Sequence, residues 1–264
     1  MDRISKALEM AKQGRANAPT VAADQNAVQI SYTQTQVVQV SAETLHANRI
    51  ISGLHDEPLV DMYRILRTRV IRRLHQNNWK TLGVTSARAG DGKTLTAINL
   101  GISIAMEPNY SVLVVDADLR RPSVHTFFGL KPQHGLSDFL VSEINVEELF
   151  IHPGIERFTI LPCTQSSKAS SELLLTHKML RLIHELKNRY PARLVIFNLP
   201  PVLVGDDVVA LSPLLDAMLL VVQDGKTRAD DLARVAELLE DTNLLGSVLN
   251  KSSEVHHRYD SQYY

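Results

Sequence analysis

Residues 84–94 read Val-Thr-Ser-Ala-Arg-Ala-Gly-Asp-Gly-Lys-Thr, and an apolar, helix-like run from Leu95 to Ala105 follows. A β-prone run therefore ends in a loop of small residues that closes on Gly92-Lys93-Thr94. This is the pattern A/G-x-x-x-x-G-K-[ST], with Ala87 in its first slot, in a strand–loop–helix context. Small residues let successive amides turn inward around phosphate oxygens, and the helix N-terminus adds partial positive charge. The motif predicts a nucleoside triphosphate site formed by Ala87, Arg88, Ala89, Gly90, Asp91, Gly92, Lys93, Thr94 and Leu95. Lys93 is expected to reach the β- and γ-phosphates, and Thr94 to hold Mg²⁺.

The rest of the chain agrees with that architecture. Apolar runs recur at 81–86, 111–116, 157–162, 193–199, 217–222 and 244–249, with helical patterns between them. Such alternation predicts a mostly parallel, doubly wound α/β sheet, with its site at the carboxyl ends of the strands. A charged helix is expected over roughly 57–76. Upstream, residues 3–13 can form a short helix with Ile4, Ala7, Leu8 and Ala11 on one face, and about 14–43 reads as a polar linker. The expected division is 1–56 for helix and linker, 57–252 for the nucleotide-binding domain and 253–264 for a mobile tail. With 44% hydrophobic residues the chain can fill a core, and its net charge of −1 offers no electrostatic case for nucleic-acid binding. The single cysteine, Cys163, excludes an internal disulfide. There is no signal-like leader or run of membrane-spanning length, so a cytoplasmic chain is expected, reaching a membrane only through a partner.

Two further strand ends carry chemistry. Val112–Val115 runs into Asp116-Ala117-Asp118-Leu119-Arg120, which puts two carboxylates beside the phosphate loop to handle Mg²⁺ or a reacting hydroxyl. Arg120 is expected to pair with one of them or with phosphate. Leu194–Phe197 leads into Asn198, a neutral residue where nucleotide-hydrolysing folds of this kind place an acid. Asp206 and Asp207 read most simply as first-turn acids of the next helix.

A Walker A loop, a strand ending in D-x-D-x-R and a strand ending before Pro200-Pro201 resemble the Walker A, A-prime and B set of bacterial tyrosine kinases. The phrases around "TLTAINL", "VDADLRRPSVH", "PPVL" and "GSVLNKS" are most similar to the stand-alone kinases of exosortase-type exopolysaccharide loci. The fold also resembles the deviant-Walker group of partitioning and septum-site ATPases. Membership in the kinase family implies ATP and Mg²⁺ as cofactors, with Lys93, Asp116 and Asp118 as catalytic residues. Asp116 is then expected to accept a hydrogen bond from an incoming tyrosine hydroxyl while Asp118 supports the metal shell. Thr94, Asp116 and, through water, Asn198 would hold the metal, and the amide of Asn250 would read adenine.

The resemblance extends to both flanks. Asp61-x-x-Arg64-x-x-Arg67 matches the family's oligomerisation motif with Asp in place of Glu, and helical spacing puts the three on one face to clasp a neighbour. Tyr259, Tyr263 and Tyr264 crowd into the last six residues, where packing does not explain them. In the family such a cluster is phosphorylated in trans. The implied partners are a second copy and the cytoplasmic segment of a membrane polysaccharide co-polymerase, which would hold the chain peripherally at the inner membrane. Arg88 occupies the slot of the partitioning ATPases' signature lysine, which crosses a dimer to the partner's nucleotide. Three readings stand open: a tyrosine autokinase regulating polysaccharide export, a catalytically weak ATP-binding assembly protein of the same system, and a partitioning-type ATPase.

Overall fold

The computed structural model describes residues 35–51, 58–189 and 192–252. Its strands are β1 (Gln36–Val37), β2 (Thr81–Ser86), β3 (Ser111–Asp116), β4 (Ile151–His152), β5 (Phe158–Leu161), β6 (Arg193–Asn198), β7 (Ala217–Gln223) and β8 (Leu244–Asn250). Between them run α1 (Ala42–Ala47), α2 (Pro58–Gln76), α3 (Lys93–Ala105), α4 (Val124–Phe127), α5 (Leu136–Val141), α6 (Ser170–Leu174), α7 (His177–Asn188), α8 (Asp207–Leu211) and α9 (Ala229–Leu238). The strands form a sheet in the order β1-β4-β5-β3-β6-β2-β7-β8. Its central pairs are parallel, and β4 meets β5 antiparallel. The six strands expected from apolar runs lie within one residue of their expected ends.

The apolar runs are continuous because both faces of the sheet are covered. Within β3, Val112 and Val114 face one core and Leu113 and Val115 the other; in β6, Leu194 and Ile196 oppose Val195 and Phe197. Period-two alternation serves two hydrophobic layers at once. On the first face lies α3, buried on nearly all sides because α2 packs outside it through Val70 and Leu74. Gly101 permits that closeness: a Cβ there would stand 3.0 Å from Phe158 and 3.1 Å from Val114. On the second face α7 buries Met179, Leu182, Ile183 and Leu186, an i, i+3, i+4, i+7 stripe, each contributing roughly 1.5–3 kcal/mol.

The linker expectation fails at its C-terminal end. Gln36 and Val37 form β1, paired parallel with Ile151 and His152. Ser41 then caps α1, its hydroxyl accepting from Thr44 N at 3.2 Å. Two-residue edge strands carry no periodicity to read, and β1 exists only because β4 offers it a hydrogen-bonding edge. The helix expected over 3–13 and the tail tyrosines lie outside the described residues. Among the described residues no helix is long and apolar enough to cross a membrane.

Candidate nucleotide and phosphotransfer site

The order β3-β6-β2 places three strand ends side by side. Asp116 registers with Asn198, and Asn198 with Val84, so the carboxylate segment, the neutral strand end and the phosphate loop converge. The loop after β2 is pinned from within. Ser86 Oγ donates to Arg88 O at 2.8 Å, Leu203 N donates to Ala87 O at 3.3 Å, and Arg88 N donates to Asp91 Oδ2 at 3.0 Å. Gly90 and Gly92 take φ of +89° and +99°, conformations that residues with a Cβ rarely adopt. Gly92 is the N-cap of α3 and supplies no side chain to cap the first amides, leaving them for an anionic ligand.

Lys93 is nearly buried. Its Nζ donates to Asp118 Oδ2 at 2.7 Å and to Thr94 Oγ1 at 3.3 Å. Asp118 also accepts from Arg121 N at 3.0 Å through its other oxygen. The Thr94 hydroxyl lies 3.4 Å from Ser123 Oγ. Asp116 is wholly buried. Its Oδ1 accepts from Asn198 Nδ2 at 2.9 Å, and its Oδ2 from the amides of Ser123 and Val124 at 2.8 and 2.9 Å. Burial pushes its carboxyl from the ordinary 3.8 up to about 6, against the lowering pull of those three hydrogen bonds. Asn198 Oδ1, equally buried, has no partner among the described residues, a costly state that a ligand-side donor or cation would relieve.

Several of the expected residues make contacts within the chain that the sequence did not indicate. Arg120 meets neither Asp116 nor Asp118. Its Nε donates to Asp207 Oδ2 at 2.6 Å and its Nη2 to Asp206 Oδ1 at 3.5 Å, so the first-turn acid of α8 and the N-cap residue before it take it instead. Arg88, in the slot of the partitioning ATPases' signature lysine, is paired within its own chain. It grips Asp231 of its own α9 through Nε and Nη2, both at 2.8 Å, and this bond holds the Asp231 carboxyl down at about 2. Asn250 Nδ2 donates to Asp91 O at 2.8 Å, which spends one of its amide hydrogens on the loop. Of the oligomerisation set, Asp61 and Arg64 pair with each other at 2.8 Å and are well exposed. Arg67 turns inward, donating to Ser103 O at 3.0 Å and pairing with Glu107 at 2.8 Å. One face of the helix is thus split between solvent and the chain's own α3.

Ser123, Asp231 and Lys251 are partners that sequence reasoning missed. Ser123 lies inside a segment quoted for its resemblance, but nothing local marks its amide as an Asp116 donor. Asp231 stands 143 residues from Arg88 and has no sequence signal.

A family model described as an AAA domain matches residues 79–254. Over 202 residues the chain is 32% identical to the tyrosine-protein kinase YwqD of Bacillus subtilis (strain 168), covering 75% of this chain and 84% of that one. The chain belongs to the bacterial tyrosine kinase family. Solved structures agree: the kinase domain of Escherichia coli tyrosine kinase ETK superposes with a TM-score of 0.69 at 26% identity, covering 86% of this chain and 91% of that one. The chimerical protein CapA2B2 gives 0.72 at 25% identity, covering 83% and 94%. As a bacterial tyrosine kinase the chain is an ATP-dependent phosphotransferase, and ATP with Mg²⁺ is the cofactor pair its family uses. The residues present fit that pair. A hydroxyl, a buried carboxylate and an orphaned amide oxygen suit Mg²⁺, which takes few protein ligands and completes its shell with phosphate and water, and the uncapped helix amides suit the phosphates.

Proposed function

We propose that the chain is a tyrosine autokinase that transfers the γ-phosphoryl of ATP to Tyr259, Tyr263 and Tyr264 of a neighbouring copy, in the service of capsular or exopolysaccharide synthesis and export. The observation that carries this reading is the buried Lys93–Asp118 pair at the mouth of the phosphate loop. A lysine held by a carboxylate inside the site can exchange that partner for a phosphate, and the exchange leaves a carboxylate free beside the transferring group. Phosphoryl transfer asks for such positioning and charge compensation rather than covalent chemistry.

The roles follow from the contacts. The loop Ala87–Leu95 binds the phosphates through its amides, and Lys93 neutralises the terminal ones. Thr94, Asp116 and, through water, Asn198 would hold Mg²⁺, which when bound screens charge on the β- and γ-phosphates. In the ligand-free protein Asp116 has both oxygens engaged and no exposed surface, so it fixes Ser123, Val124 and Asn198 and would reach Mg²⁺ only by exchanging one of those contacts. Asp118 takes the contact with the incoming tyrosine hydroxyl, since it is the carboxylate that Lys93 releases. This reverses the order of the two acids expected from sequence. Asn250 retains its side-chain oxygen for the adenine edge. The activating partner is the cytoplasmic segment of a membrane polysaccharide co-polymerase, which places the chain peripherally at the inner membrane.

Incubation with Mg·ATP, followed by intact-mass measurement and phosphotyrosine mapping, tests the reading. Phosphate on Tyr259, Tyr263 and Tyr264, lost on deletion of residues 259–264 while ATP binding persists, is the expected result. Phosphate mapping mainly to Tyr32, Tyr63, Tyr110 or Tyr190 would sink the tail assignment. ATP binding with no phosphotyrosine would favour the second reading, a nucleotide-gated assembly protein, which the neutral Asn198 supports.

A further inference from the structure

Three successive carbonyls of the phosphate loop are held on one side by the chain itself. Lys251 Nζ donates to Gly90 O at 2.7 Å, Asn250 Nδ2 to Asp91 O at 2.8 Å, and Thr96 donates to Gly92 O at 3.0 Å through both its amide and its hydroxyl. In a planar trans peptide the following N–H points away from the carbonyl. Fixing these three oxygens therefore fixes the amides of Asp91, Gly92 and Lys93 on the opposite side, the arrangement a phosphate cradle needs. Two of the three restraints come from the end of β8, far from the loop in sequence.

We propose that Lys251, with Asn250, is a positioning residue for the phosphate loop: the pair turns the Gly90 and Asp91 carbonyls outward so that the next two amides face the nucleotide before it arrives. This deepens the nucleotide-site reading and rests on it. The local geometry is built for the task. Lys251 has φ of +58°, unusual for a residue with a side chain, and this turn off the edge strand sends its ammonium back over the loop. Gln223 Oε1, 3.4 Å from Lys251 Nζ, steadies the ammonium from β7. Asp224 N donates to Asn250 O at 2.9 Å and fixes the strand end from which both side chains reach. Asn250 approaches so closely that a Cβ on Gly92 would stand 2.0 Å from its Nδ2, so loop and brace fit only with glycine at 92. Among the described residues nothing stands within 4 Å of a Cβ placed on Gly90, so that side of the loop is open. The ammonium supplies a polar tether there.

The brace acts on the ligand-free loop, so its loss should show as weaker nucleotide binding with little change in the chemical step. Lys251 is exposed, and Lys251→Met keeps its length without its charge or donors. In the full chain, Lys251→Met is expected to weaken Mg·ADP binding about 5- to 20-fold and to raise KM for ATP in proportion. The value of kcat at saturating ATP should stay within about twofold. Amide hydrogen exchange over 88–95 in the ligand-free protein should quicken, and Lys251→Arg should restore both affinity and protection. Unchanged exchange over 88–95 in Lys251→Met would overturn the proposal, as would unchanged Mg·ADP affinity alongside a Lys93→Ala control that has lost it. If Lys93→Ala also binds Mg·ADP normally, the nucleotide-site reading is what fails, and ligand-free exchange still decides whether Lys251 braces the loop.

Discussion

Asn198 and Asp116 end adjacent parallel strands and share one buried hydrogen bond, Asn198 Nδ2 to Asp116 Oδ1 at 2.9 Å. An acid in place of Asn198 could not donate it while ionised. The amide thus stabilises the Asp116 carboxylate in the ligand-free protein and gives up a full negative charge that would otherwise attract Mg²⁺. Asn198 departs from the acid that its family motif leads one to expect, and this contact shows what the departure gains.

Asn198→Asp should therefore act in opposite directions with and without metal. In EDTA it places a second carboxylate against Asp116 and should lower stability by about 1–3 kcal/mol. At low Mg²⁺ it should raise the phosphorylation rate on the order of tenfold, the equivalent of about 1.4 kcal/mol. Thermal unfolding with and without Mg²⁺, and rates across a Mg²⁺ titration, check both halves. Equal rates at every Mg²⁺ concentration would show that position 198 does not limit the metal site.

The raised Asp116 carboxyl predicts a pH effect on the metal-free protein. Its folded value of about 6 lies above the ordinary 3.8, so the folded state binds the extra proton between them. Its contribution is fully present below about 4 and is lost as pH rises through about 6, an effect on the order of 3 kcal/mol. Asp116→Asn cannot titrate, so the stability difference between variant and wild type should shift in the variant's favour across that window. Parallel pH–stability curves in EDTA would rule out a buried, titrating Asp116.

Arg64 and Arg67 should separate by phenotype. Arg67→Ala removes a half-buried bond to Ser103 O and a pair with Glu107, and should cost about 1–2 kcal/mol of stability. Arg64→Ala breaks an exposed i, i+3 pair with Asp61 and should cost under about 0.5 kcal/mol. If this helix face joins copies, Arg64→Ala should weaken self-association in sedimentation without lowering the unfolding temperature. An intact oligomer in that variant would reduce Asp61 and Arg64 to a solvated pair.

Gly92→Ala should fail twice over. A Cβ is strained at φ of +99° and collides with Asn250 Nδ2. Nucleotide binding should be lost, with a stability cost of about 1–3 kcal/mol from the backbone alone. Adding Asn250→Ala removes the collision but not the backbone strain, so the double variant should recover only part of the lost stability. Full recovery, read by thermal unfolding, would mean that crowding and not φ fixes glycine at this position.

The sequence by itself determined the fold class, the six principal strands and the phosphate loop. Each of these is written in consecutive residues: apolar runs for strands buried on both faces, small residues and Gly92-Lys93-Thr94 for the cradle. It also marked Asp116, Asp118 and Asn198 as strand-end residues, because a parallel sheet puts such residues at one edge. What each side chain touches was decided by the tertiary structure. Arg120 goes to Asp207, Arg88 to Asp231, Arg67 to Ser103 and Lys251 to Gly90, and three of these four partners lie more than 80 residues away in the chain. A charged side chain takes the nearest carboxylate or carbonyl in space, and spatial proximity here is set by the strand order β3-β6-β2-β7-β8, which the sequence pattern does not encode. The two-residue strands β1 and β4 were illegible for the same reason. Two residues have no period, and they become strands only when a neighbouring edge supplies the hydrogen bonds.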